Sequence, residues 1–268
     1  MNSTLISSIK KDYLNKLAEQ KKRIDGRAFD EYRKISIETN IVRKAEGSAR
    51  VKIGNTQVLA GVKMDVGEPY SDSPESGVLT TSAELIPMAS PDFEAGPPRE
   101  DAIELARVVD RGIRESEVID LDKLCIEPGE KVWIVFVDIH VLDYDGNLFD
   151  ASSLAALAAL STAMVPAERF EMGKDYPLPI KEPPISCTFV KFNKAIVVDP
   201  CLDEETIAEA RLTVATDEEG NIRAMQKGLS GSFTLDEVKK VIKASIDNGA
   251  RIRKILEDAV GRDHGKKN

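Results

Sequence analysis

Histidine, cysteine and tryptophan are scarce: two, three and one among 268 residues. His140 sits in an apolar run and His264 near the C-terminus, with no metal-ligand spacing between them, so a histidine-based metal centre is not expected. Cys125, Cys187 and Cys201 are scattered, and none belongs to a CxxC pair. That excludes a zinc ribbon and a disulfide framework and points to a reducing, cytoplasmic setting. No stretch of about 18 apolar residues occurs, so no membrane span is expected. The polar run Ser7–Lys11 argues against a secretory leader. The glycine patterns of nucleotide-binding loops and of the serine-hydrolase elbow are missing as well. Positive charge is also short: 37 Lys and Arg against 46 Asp and Glu, a formal charge of −9. Such a chain does not coat DNA or RNA broadly. Any nucleic-acid contact needs a local basic cluster, or a surface shared with a basic partner.

What is present is a globular mixture, 42% hydrophobic and 31% charged. It is long enough for one large domain or two intimate halves. Leu5, Ile6, Ile9, Tyr13, Leu14 and Leu17 predict an amphipathic helix over 3–19. Lys21–Arg27 is a basic, glycine-containing connection. Strand patterns cover Arg33–Glu38, Ser48–Ile53 and Gln57–Lys63, with Gly54-Asn55 as the hairpin turn between the last two. Asp65–Gly77 reads as a long exposed loop, Leu79–Pro87 as a strand and Ser90–Pro98 as a second loop. A helix over Glu100–Ile119 precedes a long strand at Val132–Leu142, a turn at Tyr144–Asn147, and an Ala-rich helix at Asp150–Met164. That helix's small side chains call for close packing against a neighbour.

Four prolines in the eight positions Pro177–Pro184 mark a boundary. Strands follow at Ile185–Phe192, Ala195–Val198, Ala210–Thr216 and Ile222–Lys227. Thr234 and Glu237 form a capping box for a last helix reaching about Val260, with Gly261–Asn268 a frayed tail. The expected organisation is an N-terminal helical segment (1–22), a first half (23–176), a linker (177–184), a second half (185–261) and a tail (262–268). Strand clusters followed by helices occur twice. That indicates an α+β fold of two βαβα-like halves with sheets faced by helices, and not a doubly wound parallel sheet.

The helix from Glu100 carries the most chemistry. At about 100° per residue, Arg107, Arg111 and Arg114 share a narrow arc, with Leu105, Val108, Val109 and Ile113 roughly opposite. Guanidinium geometry suits bidentate phosphate contacts. The competing reading is a solvated face with ion pairs along the helix, such as Glu104 with Arg107. His140 and Asp138 point to one side of a strand, either as an acid–base pair or as ordinary packing residues. Asp203-Glu204-Glu205, with Glu209, is either a Mg²⁺ site or the solvated start of a short helix or turn.

Three segments together resemble the RNase PH family. Arg23-Ile24-Asp25-Gly26-Arg27, followed by Glu46–Ala49 and Gly54-Asn55-Thr56, resembles its opening. Leu105–Arg114 is similar to its arginine-bearing helix. Asp143–Ala151 is similar to the turn before its Ala-rich helix. The likeness spans about residues 20–260 and is nearest the archaeal exosome ring subunits described as non-catalytic. It implies an RNase PH fold in a six-membered ring, a trimer of heterodimers with a catalytic paralogue. Cap proteins that bind RNA and single-stranded RNA itself are the further implied partners, with no cofactor, DNA or membrane. The implied activity of the assembly is phosphate-dependent 3′→5′ RNA degradation.

Two departures bear on this chain's part. In catalytic relatives the turn before the Ala-rich helix reads GG[TS]R and holds the attacking phosphate; here it is Gly146-Asn147-Leu148-Phe149. Where such relatives carry a catalytic Asp, this chain has Arg211. Both departures imply a subunit with no catalytic residue of its own. By the same likeness, Arg107 and Arg111, and Arg114 beside them, are the RNA-binding residues. The alternatives are an active phosphorolytic exoribonuclease or tRNA 3′-trimming enzyme, and an RNA-binding module that forms no ring.

Overall fold

The computed structural model describes residues 2–264, with side chains described for 9–261. The first helix, α1, spans Asn2–Glu19. Its Leu14 and Ala18 are buried while Ile9 and Tyr13 stay exposed; the side chains of Leu5 and Ile6 lie outside the described residues.

The first sheet consists of β1 (Ile35–Thr39), β2 (Gly47–Ile53), β3 (Thr56–Gly67), β4 (Val78–Leu85), β5 (Cys125–Glu127) and β6 (Lys131–Asp143). Its order is β1-β2-β3-β6-β4, with β5 paired onto β6. The β4–β6 pair is parallel and is bridged by the crossover helix α2 (Glu100–Glu115), because parallel neighbours cannot be joined by a tight turn. Gly54 takes φ +59° in the β2–β3 turn, as the first position of a tight hairpin requires. Strand β3 runs on to Gly67, opposite Val132 of β6. The expected loop therefore starts after Gly67 and not at Asp65: the long partner strand keeps the backbone paired.

Helix α3 (Leu148–Ser161) leads through the small β7 (Met164–Val165) and β8 (Tyr176–Pro177) ladder into the second sheet. That sheet holds β9 (Ile185–Phe192), β10 (Ala195–Val198), β11 (Ala210–Thr216) and β12 (Ile222–Gly228), in the antiparallel order β10-β9-β11-β12. The short helix α4 (Leu202–Ile207) precedes β11, and α5 (Leu235–His264) follows β12. The element order strand-strand-helix-strand-strand-helix thus occurs twice, from β3 to α3 and from β9 to α5. The architecture is α+β, with helices against both sheets.

Every residue from Phe149 to Leu160 is buried, since α3 packs on β2 and β3 of one sheet and on β9 of the other. A helix buried all round is largely apolar all round, and the buried Asp150 near its start is met by Thr188 and Asn147. The fit also requires small residues: a Cβ on Gly47 would lie 2.2 Å from the Ala159 carbonyl oxygen. The capping box at the start of α5 is present. The Thr234 backbone N–H donates to Glu237 Oε2 (2.7 Å), and the Glu237 N–H donates to Thr234 Oγ1 (3.3 Å). Helix α5 continues through Gly261 to His264 and overruns the expected tail boundary. One glycine costs about 1 kcal/mol in a helix and does not by itself end it. Residues 265–268 of the expected tail lie outside the described residues. Helix α2 stops at Glu115, before the expected Ile119, where Glu117 takes φ +53°.

The basic connection after α1 is spent on joining the halves. The Arg23 Nε and Nη2 donate to Glu204 Oε1 (2.8 Å) and Oε2 (2.6 Å), and its Nη1 donates to the Val198 carbonyl (2.9 Å). Arg27 Nη1 and Arg33 Nη2 both reach the Asp199 carboxylate, at 2.9 and 2.7 Å. Burial alone would raise the Asp199 carboxyl, but Arg33 and its other donors hold it below the ordinary value. These guanidiniums are buried partners of carboxylates and are unavailable to a ligand.

Candidate nucleic-acid interface

The periodicity of α2 sorts its residues as the sequence requires. Ala102, Leu105, Val109, Gly112 and Ile113 face the core, while Arg107, Arg111 and Arg114 are exposed. The three arginines nevertheless differ. Arg114 Nη2 lies 2.9 Å from Asp110 Oδ2, one turn back along the helix. Arg111 Nη1 donates to the neutral Gln226 Oε1 of β12 at 3.1 Å. The Arg107 side chain makes no hydrogen bond or ion pair to any described residue. Arg107 and Arg111 line a groove of about 310 Å³ between α2 and the edge strand β12, with Ile103, Val108 and Gln226 beside them; Glu100 and Glu104 also lie in its wall, and neither pairs with these arginines. Arg114 is not part of its wall.

The expected ion pair between Glu104 and Arg107 is not formed. Glu104 Oε1 instead accepts from Arg211 Nη2 of β11 at 2.5 Å. The Arg211 guanidinium also lies 4.1 Å from the centre of the Phe149 ring, where the ring's negative face favours a cation. Helix spacing put Arg107 within reach of Glu104, but a cation from another element has taken the carboxylate.

On the other side of Glu104 lies the turn that precedes α3. Gly146 and Asn147 have φ of +85° and +59°, and Asn147 is the residue that caps the helix. Asparagine tolerates this left-handed conformation better than most residues do. Its side-chain amide donates to Asp150 Oδ2 (2.8 Å) and Asp199 Oδ1 (2.7 Å). The helix thereby starts at Leu148, two residues before its expected start. Thr56 Oγ1 and Arg33 Nη2 donate to the Gly146 carbonyl at 2.7 and 3.2 Å and pin the turn in place. The Asn147 backbone N–H, which a phosphate-holding turn would turn toward its anion, donates to Glu205 Oε1 at 2.8 Å. The Tyr144 hydroxyl donates to the other oxygen of Glu205, also at 2.8 Å.

The helix N-terminus is therefore already served by a carboxylate of this chain. Burial pushes the Glu205 carboxyl above its ordinary value, although Asn147, Tyr144 and Arg211 each pull it down. Phe93 stacks on Tyr144 with ring centres 5.3 Å apart. The cavity remaining beneath measures about 150 Å³ and is lined by Asp101, Glu104, Glu205 and Arg211 among apolar residues. Three carboxylates against one guanidinium make a poor anion site.

The acidic run, read as a Mg²⁺ site or as the solvated start of a short helix or turn, does start the short helix α4, but its carboxylates are paired and not solvated. Asp203 pairs with Lys10, Glu204 is buried against Arg23, and Glu205 closes the turn before α3. Among the described residues no cluster of His, Cys, Asp and Glu is arranged to hold a metal ion. The pattern was disguised because Cys201 stands where a capping Ser or Thr would have announced α4. The Cys201 N–H still donates to Glu204 Oε2 at 3.0 Å, the reciprocal half of a capping box. His140 and Asp138 share the outer face of β6 but do not pair. Ser82 Oγ donates to Asp138 (2.8 Å), and His140 Nδ1 lies 3.3 Å from Glu84. Gln226, and the role of Glu205 at this turn, escaped the sequence reading because their partners are remote in the chain. Cys187 is buried and Cys201 nearly so, and burial pushes the Cys201 thiol up to about 12. No described helix is long and apolar enough to cross a membrane.

Comparison with known proteins identifies the family. Residues 31–166 match domain 1 of the 3′ exoribonuclease family, RNase PH, and residues 182–248 match its domain 2. The exosome complex component Rrp42 of Methanocella arvoryzae is 55% identical over 257 residues, covering 96% of this chain and 99% of the relative. A chain of the solved Archaeoglobus fulgidus exosome with RNA bound to the active site superposes with a TM-score of 0.91. It is 52% identical, with 93% of this chain and 98% of that chain covered. A chain of a solved archaeal exosome core gives a TM-score of 0.89 at 48% identity, covering 96% of this chain and all 100% of that one.

Proposed function

The chain belongs to the RNase PH family of 3′ exoribonucleases, and from that premise we propose that it is a non-catalytic subunit of an archaeal exosome. In this reading it alternates with a catalytic paralogue in a hexameric ring beneath RNA-binding cap proteins. Its halves at 23–176 and 185–261, joined by 177–184, present the surface that orders the neighbour's active site. It contributes Arg107 and Arg111 as clamps on the phosphates of single-stranded RNA during phosphate-dependent 3′→5′ degradation.

One observation carries the reading. Glu205 occupies the turn that would hold phosphate, while the groove on the other side of Glu104 keeps two guanidiniums without a carboxylate partner. Phosphate contacts bind without reading sequence, which suits processive degradation. The names of the similar proteins support the exosome setting. Arg114 drops out of the clamp, since it is paired with Asp110 and absent from the groove wall. The rival, a phosphorolytic enzyme acting alone, would need phosphate beside Asp101, Glu104 and Glu205, where like charge opposes it.

The test is degradation of 5′-labelled single-stranded RNA with inorganic phosphate and Mg²⁺, by the chain alone and by its assembly with the catalytic paralogue. No shortening alone and robust shortening by the assembly is the expected result. Release of nucleoside diphosphates by the pure chain alone would overturn the non-catalytic assignment. Within the assembly, Arg107→Ala with Arg111→Ala should weaken RNA binding by about tenfold or more and flatten its salt dependence. Unchanged binding would remove the clamp.

A further inference from the structure

Arg211 does more than fill a place where catalytic chemistry is absent. Glu104 stands one turn before Arg107, at a spacing that favours an ion pair along the helix. Such a pair would neutralise one of the two guanidiniums in the groove. Arg211 Nη2 holds Glu104 Oε1 at 2.5 Å from the side of the neighbouring cavity, and Arg107 is left without a partner. The Arg211 side chain is well placed to do this. It is only 16% exposed, its guanidinium lies on the Phe149 ring, and a Cβ on Gly228 would come within 2.6 Å of its Nη2. Its approach along β11 is thus fixed by packing.

The same division repeats one turn further on. Asp110, three residues after Arg107, is held by Arg114 at 2.9 Å and accepts from Thr81 Oγ1 at 3.3 Å. We propose that Arg211 is a positioning residue for the RNA clamp: by sequestering Glu104 it keeps Arg107 free to bind a phosphate of single-stranded RNA. This rests on the clamp reading above, and it gives the loss of an acid at position 211 a gain in function.

The experiment measures binding of labelled oligoadenylate RNA to the assembly of the full chain with its catalytic paralogue, as a function of salt. Arg211→Met keeps the apolar packing on Phe149 and releases Glu104. RNA affinity should fall about threefold, and the salt slope should shrink by up to the ~0.7 expected for one phosphate of a single strand. Adding Glu104→Gln to Arg211→Met should restore both, a rescue that general disruption of the fold would not give. A crystal structure of the Arg211→Met variant should show Glu104 against Arg107. Unchanged affinity in Arg211→Met, or no rescue by Glu104→Gln, overturns the proposal. Glu104→Gln by itself provides the check if Arg211→Met does not fold: affinity within twofold of the parent is expected, and a severalfold gain would show that Glu104 already opposes Arg107. Loss of binding in the Arg107→Ala, Arg111→Ala assembly with no effect of Arg211→Met would defeat this inference and leave the clamp standing. No effect of the paired arginine substitutions would defeat both.

Discussion

Glu104 of α2 lines two cavities, and the cavities have opposite electrostatic outcomes. Toward the turn before α3, Arg211 pairs with Glu104 while Asp101 and Glu205 line the same cavity, and the Asn147 N–H already donates to Glu205. Toward β12, the Arg107 side chain pairs with no described residue, and Arg111 donates to the neutral Gln226. Both sites contain arginine and glutamate. The presence of arginine therefore says little about anion binding. What separates the two sites is whether a carboxylate of the fold is paired with the donor that would bind the anion.

The filled turn is broken most severely at Gly146. Its φ of +85° strains any L-residue, and a Cβ there would lie 2.5 Å from the Pro200 carbonyl oxygen. Gly146→Ala should cost about 3 kcal/mol or more of stability, read by urea unfolding; a cost under about 1 kcal/mol would mean the turn yields easily. A smaller effect is expected from Glu205→Gln. The Glu205 carboxyl is raised in the fold, so its contribution to stability is full below its ordinary value of 4.5 and is lost as pH rises through the folded value. Glutamine does not titrate. In acid, where both side chains are neutral and each offers a carbonyl acceptor and a donor, the variant should match the parent within about 1 kcal/mol, and the parent should lose ground to it as pH rises through the folded value. Unfolding curves at a series of pH values measure this, and a parent that gains on the variant with rising pH would contradict the assignment. The smallest effect belongs to the open groove's neighbour. Arg114→Ala should change RNA affinity of the assembly by less than about twofold, because its guanidinium already meets Asp110 and lies outside the groove wall. A loss comparable to that of Arg107→Ala would place Arg114 back in the clamp.

Much of the fold was legible along the chain. The bounds of β9, β10 and β11 coincide with their apolar patterns, and the Thr234–Glu237 capping box stands where its spacing put it. The amphipathic division of α2 was also readable, since a helix's period is a local property. Less legible was anything that depended on a remote partner. Strand β3 outran its own pattern because β6 was there to pair with it. The acidic run at 203–205 looked solvated, yet its three carboxylates meet Lys10, Arg23 and the turn at Asn147.

For the candidate site the division is the same. The sequence by itself determined that Arg107, Arg111 and Arg114 share one exposed arc of a helix, because 3.6 residues per turn leaves no other arrangement. It also determined that the turn at 146–149 lacks a cation and that position 211 carries one. Only the tertiary structure decided which of these charges are neutralised. Pairing depends on distances of a few ångströms, and those distances are set by how sheets and helices pack across tens to more than a hundred residues of chain: Arg211 reaches Glu104, Glu205 reaches the Asn147 N–H, and no described residue pairs with the Arg107 side chain.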